Sequence, residues 1–274
     1  MDVITDFVKI LELKRYSKQT ISSYKGHLYM FNSHFNNKSF KSITDKEIFE
    51  FVYHIVSEKE ISASYQRQIV GSLKLFYKEI YKRAIPFEYL KVSRRENKLP
   101  TVLSKDEVRR IIENTNNLKH RAILSLIYSS GLRIGELLAL KKMDIDSERM
   151  LIHVRFAKGK KDRYTILSTN VLQTLKEYYK QYKPKEFLFE GRNGGRYSPE
   201  STSQFFKRAA KKAKINKSVT LHTLRHSFAT HLLEQGVGIV HIKKLLGHNN
   251  ISTTLIYTHI AKDSLQNIKS PFDE

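Results

Sequence analysis

Apolar residues recur at alternating steps of three and four along roughly the first 95 residues, a period that admits helices and little else. Ile21, Tyr24, Leu28, Phe31 and Phe35 trace one such face, and Ile4, Phe7, Val8 and Leu11 trace one before it. Thr44-Asp45-Lys46-Glu47 is a capping-box signal opening a third helix with Ile48, Phe51, Val52 and Ile55 inward. Ile69, Leu73, Phe76 and Ile80 mark a fourth. The frequent Tyr and Phe of this region read as core packing. Pro86 ends it, and Lys91–Pro100 (KVSRRENKLP), which is polar, basic and closed by proline, reads as an interdomain linker.

The pattern then changes. Leu103-Ser104-Lys105-Asp106-Glu107 starts a helix with a cap and N-terminal acids, and Arg121–Ser130 is an apolar helix stopped by Gly131. Leu151–Phe156 alternates like a strand, Lys158-Gly159-Lys160-Lys161-Asp162 is a turn, and Arg163–Leu167 is the returning strand. Thr169–Tyr182 is helical, and Phe187–Phe189 is expected as a short strand. Ser198-Pro199-Glu200 puts a cap before a proline at the first helical position, opening a helix to about Lys214. Further helices are expected from about Thr223 to Gly236, from Ile239 to Gly247, and over Ala261–Ile268. The fold class that follows is mainly α with a small antiparallel β-sheet. Its domains are a helical one over residues 1–90, a linker over 91–100 and a second domain over 101–274.

Charge narrows the function. The chain carries 49 Lys and Arg against 27 Asp and Glu, a net +22. Up to Pro100 there are 18 basic and 11 acidic residues, and beyond it 31 and 16, so both halves can touch a polyanion, with DNA, RNA and anionic membrane as the candidates. No cysteine is present, which excludes a disulfide framework, a zinc finger and a thiol nucleophile, and suits a reducing, cytoplasmic setting. No run approaches the roughly 20 apolar residues of a membrane span, no amphipathic basic anchor stands out, and the first residues show no signal peptide.

Several motifs are absent or incomplete. There is no G-x-x-x-x-G-K-[ST] phosphate loop, and Gly191-Arg192-Asn193-Gly194-Gly195 reads as a surface turn. His222 and His226 are spaced as zinc ligands can be, yet Thr223 stands where the metalloprotease motif needs Glu, so no metal is expected. Taken singly, the other polar candidates have ordinary readings. Arg133 follows Gly131 and is either solvated or aimed into a cleft, and Tyr257 alone reads as a packed aromatic. His222 and Arg225 share a face at a helix N-terminus, where free N–H groups suit a phosphate oxygen. Taken together, two Arg, a Lys, two His and a Tyr are what phosphoryl transfer to a tyrosine hydroxyl requires. Paired guanidiniums match the charge on the non-bridging oxygens. A phenol of pKa near ~10 needs a base or a positive field, and the leaving 5′-oxygen needs a proton.

The order Arg133 … Lys158 … His222-x-x-Arg225 … Gly247-His248 … Tyr257 resembles the tyrosine recombinase/integrase family, closest to its Xer-like and integron-integrase-like bacterial branch. Ser129–Leu140 (SSGLRIGELLAL), Leu221–Gly236 (LHTLRHSFATHLLEQG), Leu245–Asn249 (LLGHN) and Thr253–His259 (TTLIYTH) carry the resemblance. It implies a two-domain architecture, a helical core-binding domain followed by a catalytic one. Arg133 and Arg225 would bind the scissile phosphate. Lys158, with Lys160 and Lys161 as rivals, would protonate the leaving 5′-oxygen. His222 would be general acid/base, His248 would bond or position the phosphate, and Tyr257 would form a 3′-phosphotyrosyl link. No cofactor or metal is implied.

The implied partner is a double-stranded DNA recombination site bound by a homotetramer on two such sites. A C-terminal helix would dock on the neighbour, here Ala261–Ile268 with Leu265 and Ile268 as anchors, and a partner recombinase or accessory protein is compatible with the pattern. Arg94, Arg95, Lys141, Lys142, Lys207, Arg208, Lys211 and Lys212 would contact phosphates. The activity implied is cutting and rejoining of DNA in integration, excision, inversion or dimer resolution. The alternatives are relaxation by a type IB topoisomerase-like enzyme and a catalytically idle DNA-binding regulator.

Overall fold

The computed structural model describes residues 2–86, 90, 99–155 and 162–258. The chain divides into two compact units, residues 1–97 and 98–274. The first holds four helices, α1 (Val3–Leu13), α2 (Lys18–His34), α3 (Asp45–Glu58) and α4 (Ala63–Tyr81). Each begins where a side-chain oxygen accepts from a backbone N–H left free by the first turn: Asp2 from Ile4, Ser17 from Thr20, Thr44 from Glu47 and Ser62 from Tyr65. Thr44 and Glu47 close the expected capping box. Phe7, Leu28, Phe31, Phe51, Leu73 and Phe76 form the centre of the core, while Ile21, Tyr24 and Phe35 of the expected stripe pack against its edge. Phe31 meets Phe51 edge-on at 4.9 Å between ring centres.

The second unit opens with α5 (Lys105–Glu113), α6 (Leu118–Ser130) and α7 (Ile134–Ala139). A three-stranded antiparallel sheet follows, in the order β1 (Ile145–Asp146), β2 (Leu151–Val154), β3 (Arg163–Ile166). The register of β2 on β3 runs from Leu151 opposite Ile166 to Val154 opposite Arg163. Among the described residues, five α-helices follow: α8 (Thr169–Tyr182), α9 (Pro199–Lys212), α10 (Leu221–Glu234), α11 (Ile239–Leu246) and α12 (Ser252–Leu255). α10 packs against α6 and α11, and it buries residues on every side, among them Leu224, Arg225, Ser227, Phe228 and Ala229. A helix enclosed in this way is the axis around which a unit is built.

Some expectations are corrected. Phe187–Phe189 is not a strand. Oε1 of Glu190 accepts from the backbone N–H groups of Lys185, Glu186 and Phe187 at 3.1, 2.6 and 3.2 Å, so those donors are spent on a turn, and an isolated bridge joins Glu190 to Arg196 instead. Leu188 and Phe189 are apolar because they are buried in the core. α6 starts at Leu118, where Asn117 caps it, earlier than the expected Arg121. α7, β1 and α12 are too short to show a period and were not anticipated. The turn residues Lys158–Lys161, the linker residues Lys91–Lys98 and the tail Ala261–Ile268 lie outside the described residues. Among the described residues, no helix is long and apolar enough to cross a membrane.

Candidate active site

Two glycines shape the site. Gly131 ends α6 at φ +61° and Gly247 ends α11 at φ +62°, a left-handed conformation that side chains resist. A Cβ on Gly131 would stand 2.4 Å from Cδ1 of Phe228, and one on Gly247 2.6 Å from Cδ of Arg163. Each glycine therefore lets a neighbouring element close in, and both turns deliver carbonyls or side chains to one place.

The centre of that place is Glu136, in the first turn of α7. Its carboxylate accepts from Nη1 of Arg133 at 2.7 Å, from the Arg133 backbone N–H at 2.8 Å, and from both Nη groups of Arg163 at 2.9 Å. Nη1 of Arg225 stands 3.7 Å away. Arg163 further donates from Nε to the Leu245 carbonyl at 2.9 Å. Burial acts to raise the Glu136 carboxyl, but the bidentate Arg163 and then Arg133 overcome it and hold it at about 2. One carboxylate thus braces three guanidiniums.

Arg225 is the most deeply set of the three, 2% exposed on α10. It donates to the carbonyls of Gly131 and Leu246, and its Nη2 lies 3.1 Å from Nε2 of His248. Burial first, and Arg133 next, push it below the ordinary arginine value, although a guanidinium keeps its charge. Because a guanidinium only donates, Nε2 of His248 must accept. Its Nδ1 therefore carries the hydrogen and donates to Oγ1 of Thr254 at 2.9 Å. Burial, then Arg225, keeps His248 neutral, pushed down to about 3.

Arg133 and His222 line a cavity of about 610 Å³ together with Glu136, Lys141, Arg155 and Arg196. Partial desolvation of the His222 ring, then Arg225 and Arg133, hold it below the usual histidine range. Tyr257 follows α12, is 1% exposed, and packs in an apolar cluster with Phe228, Ala229, Ile242 and Leu246. Its hydroxyl lies 3.0 Å from Nδ1 of His226. Burial raises its phenol, with Arg225 and then Arg133 pulling the other way. Tyr257 is therefore the packed aromatic that its position alone suggests, and its hydroxyl is also tied to His226.

The structure joins Arg133, Arg225 and His248 in one network, with Tyr257 bonded to His226, the residue after Arg225 on α10, and His222 on the cleft wall. Lys158 lies outside the described residues. Four contributors were not anticipated: Glu136, Arg163, His226 and Thr254. Glu136 had a signal, since Arg133-x-x-Glu136 has capping-box spacing; His226 had one in its position four residues after His222. Arg163 and Thr254 had none. On α9, Lys207, Arg208, Lys211 and Lys212 are exposed opposite buried Phe205, Phe206 and Ala209, a basic face suited to phosphates. Lys141 instead faces Glu186 at 3.5 Å and Lys142 the Tyr179 hydroxyl at 3.3 Å. Among the described residues, no group of three or more His, Asp or Glu could hold a metal ion.

Residues 101–264 match the phage integrase family, and residues 4–86 match the phage integrase N-terminal SAM-like domain. A putative integrase/recombinase of Sinorhizobium fredii is 36% identical over 265 residues, covering 96% of this chain and 86% of its own. The tyrosine recombinase XerA of Pyrococcus horikoshii is 36% identical over 269 residues, covering 97% and 91%. Among solved structures, the XerH site-specific recombinase bound to a palindromic difH substrate superposes with a TM-score of 0.74 at 25% identity, over 93% of this chain and 80% of that one.

Proposed function

Because the chain belongs to the phage integrase family of tyrosine recombinases, we propose that it cuts and rejoins DNA at specific sites through a phosphodiester link to Tyr257. The observation that carries the assignment of residues is the brace on Glu136. It sets Arg133 and Arg225 as fixed cations beside the segment that bears Tyr257.

In this reading the scissile phosphate sits against Arg133 and Arg225, whose guanidiniums take up the charge that builds on its non-bridging oxygens. The Glu136 carboxylate holds both in place before substrate arrives, so little reorganisation is needed at the moment of reaction. His222, on the cavity wall, acts as general acid/base toward the phosphate. His248, neutral and tied to Thr254, positions Arg225. Lys158 protonates the leaving 5′-oxygen. The covalent link stores the phosphodiester energy, and rejoining reverses the steps. Double-stranded DNA is the partner, and the exposed basic face of α9 supports backbone contact. Four protomers on two sites, joined through residues 261–268, complete the proposal. Its setting is the cytoplasm, and a partner recombinase or accessory protein is compatible with it.

The test uses the duplex that the protein selects from a random-sequence pool, rebuilt with a nick that traps cleavage. Wild type leaves a covalent adduct on a denaturing gel, and Tyr257→Phe leaves none. Relaxation of plasmids lacking the selected site would favour topoisomerase action, and an adduct surviving in Tyr257→Phe would remove the nucleophile.

A further inference from the structure

Tyr257 is 1% exposed, so its side chain is held within the protein. A buried phenol needs an acceptor. Among the described residues, its hydrogen-bond partner is Nδ1 of His226, at 3.0 Å. Were Nδ1 protonated, two hydrogens would compete for one line of contact and the phenol proton would be left unbonded. The O–H therefore donates to the Nδ1 lone pair, and the ring's own hydrogen sits on Nε2.

From this arrangement we propose that His226 is a further catalytic residue of strand cleavage, its Nδ1 taking the Tyr257 proton as the phenol oxygen attacks phosphorus. The inference rests on Tyr257 being the nucleophile. As the O–P bond forms, the phenol proton moves to Nδ1 and His226 becomes imidazolium. The P–O5′ bond breaks, its electron pair stays on O5′, and O5′ takes a proton from Lys158, the leaving-group acid of the proposed function. In rejoining, the 5′-hydroxyl returns its proton to that lysine while His226 gives its own back to Tyr257.

The role given above to His222 thereby divides between two histidines of α10: the phenol proton goes to His226, and His222 is left to bond the phosphate. His222 lines the cavity beside Arg133, and its ring meets that of His226 edge-on, 5.4 Å between centres. His226 faces the phenol. Around it stand His222 and Arg225 on its own helix, His248 beyond α11, and Tyr257. Burial, then His222 and Arg225, push His226 down to about 4, so its lone pair is free at neutral pH. The cations that oppose the imidazolium are the same ones a bound phosphate offsets.

Two measurements test this on the full chain. Nitrogen-15 NMR of the imidazoles at neutral pH, assigned with His226→Gln, should show His226 as the Nε2–H tautomer; an Nδ1–H tautomer or a charged ring would overturn the proposal without any DNA. The second uses the selected nicked duplex with either an ordinary 5′-oxygen or a bridging 5′-sulfur, which departs without a proton. Gln retains a hydrogen-bond acceptor but cannot carry the proton. His226→Gln should form adduct at least ~100-fold more slowly on both substrates, with wild-type melting and DNA binding. Lys158→Ala should recover on sulfur. His226→Gln cleaving at the wild-type rate, or rescued by sulfur, would overturn the base role. A wild type that forms no adduct, or an adduct in Tyr257→Phe, would instead remove the nucleophile assignment and this inference with it.

Discussion

At the scale of single residues, the site depends on what is missing from two of them. Alanine at Gly131 must adopt a left-handed φ of +61° and push aside Phe228, a contact of 2.4 Å to a packed ring. The conformational cost is about 1–2 kcal/mol and the overpacking about 1–3 more, so Gly131→Ala should lower stability by at least ~2 kcal/mol in denaturant titration. Because the Gly131 carbonyl also accepts from Arg225, cleavage should fall further than stability alone explains. Glu136→Gln is a different kind of lesion. It keeps the shape but strips the one negative charge from between three guanidiniums. Cleavage should drop ~10²- to 10³-fold, the range for disturbing a preorganised charge site, with noncovalent DNA binding retained. Equal rates would remove Glu136 as the brace. The sequence displayed Arg133, Arg225, His248 and Tyr257 because each sits in a compact local motif. It hid Arg163, which is 27 positions from its partner Glu136. Such contacts leave no trace in local spacing.

Among the elements, legibility followed length and period. α2, α3 and α8 repeat their apolar face over three or more turns, and their extents were close to those expected. Six-residue α7 and four-residue α12 each complete fewer than two turns, so nothing repeats. The Phe187–Phe189 run shows the opposite failure: an apolar triplet that looks like a strand is a buried turn tied down by one carboxylate. Capping boxes were legible because they are chemistry at fixed spacing. Ser104→Ala should cost ~1 kcal/mol, since Ser104 and Glu107 satisfy each other's backbone donors at 3.1 and 2.7 Å. The elements around Tyr257 should also differ in how readily they open. α10 is enclosed on all sides, whereas α12 is short, with Thr254 bonded to His248 and Tyr257 to His226. Hydrogen exchange should find α10 amides among the slowest and those of 252–258 among the fastest of the unit; equal protection would contradict this.

For the molecule as a whole, acid should act in two stages. His226 and His248 stay neutral when folded down to about 4 and about 3, whereas unfolded histidine takes a proton near 6.5. Their contribution is therefore complete above pH ~6.5 and drains away as pH falls toward those values. Glu136, held at about 2 against an ordinary 4.5, keeps its contribution down to about pH 4.5 and loses it below. Thermal melts should fall in both windows, and replacing both histidines by Gln should flatten the upper one alone. A melting temperature that rises between pH 7 and 5 would contradict the assignment. The net +22 also makes DNA affinity steeply dependent on salt, and a slope near zero in log Kd against log salt would contradict backbone contact.

Three arginines sharing one carboxylate leave the interior with a surplus of two positive charges. That self-repulsion weakens the fold, and an oxyanion relieves it, so sulfate should raise the melting temperature more than chloride at equal ionic strength. The enzyme is then least durable while idle. Proteases find it easiest to open when it is away from its target, and copies engaged on DNA outlive those adrift.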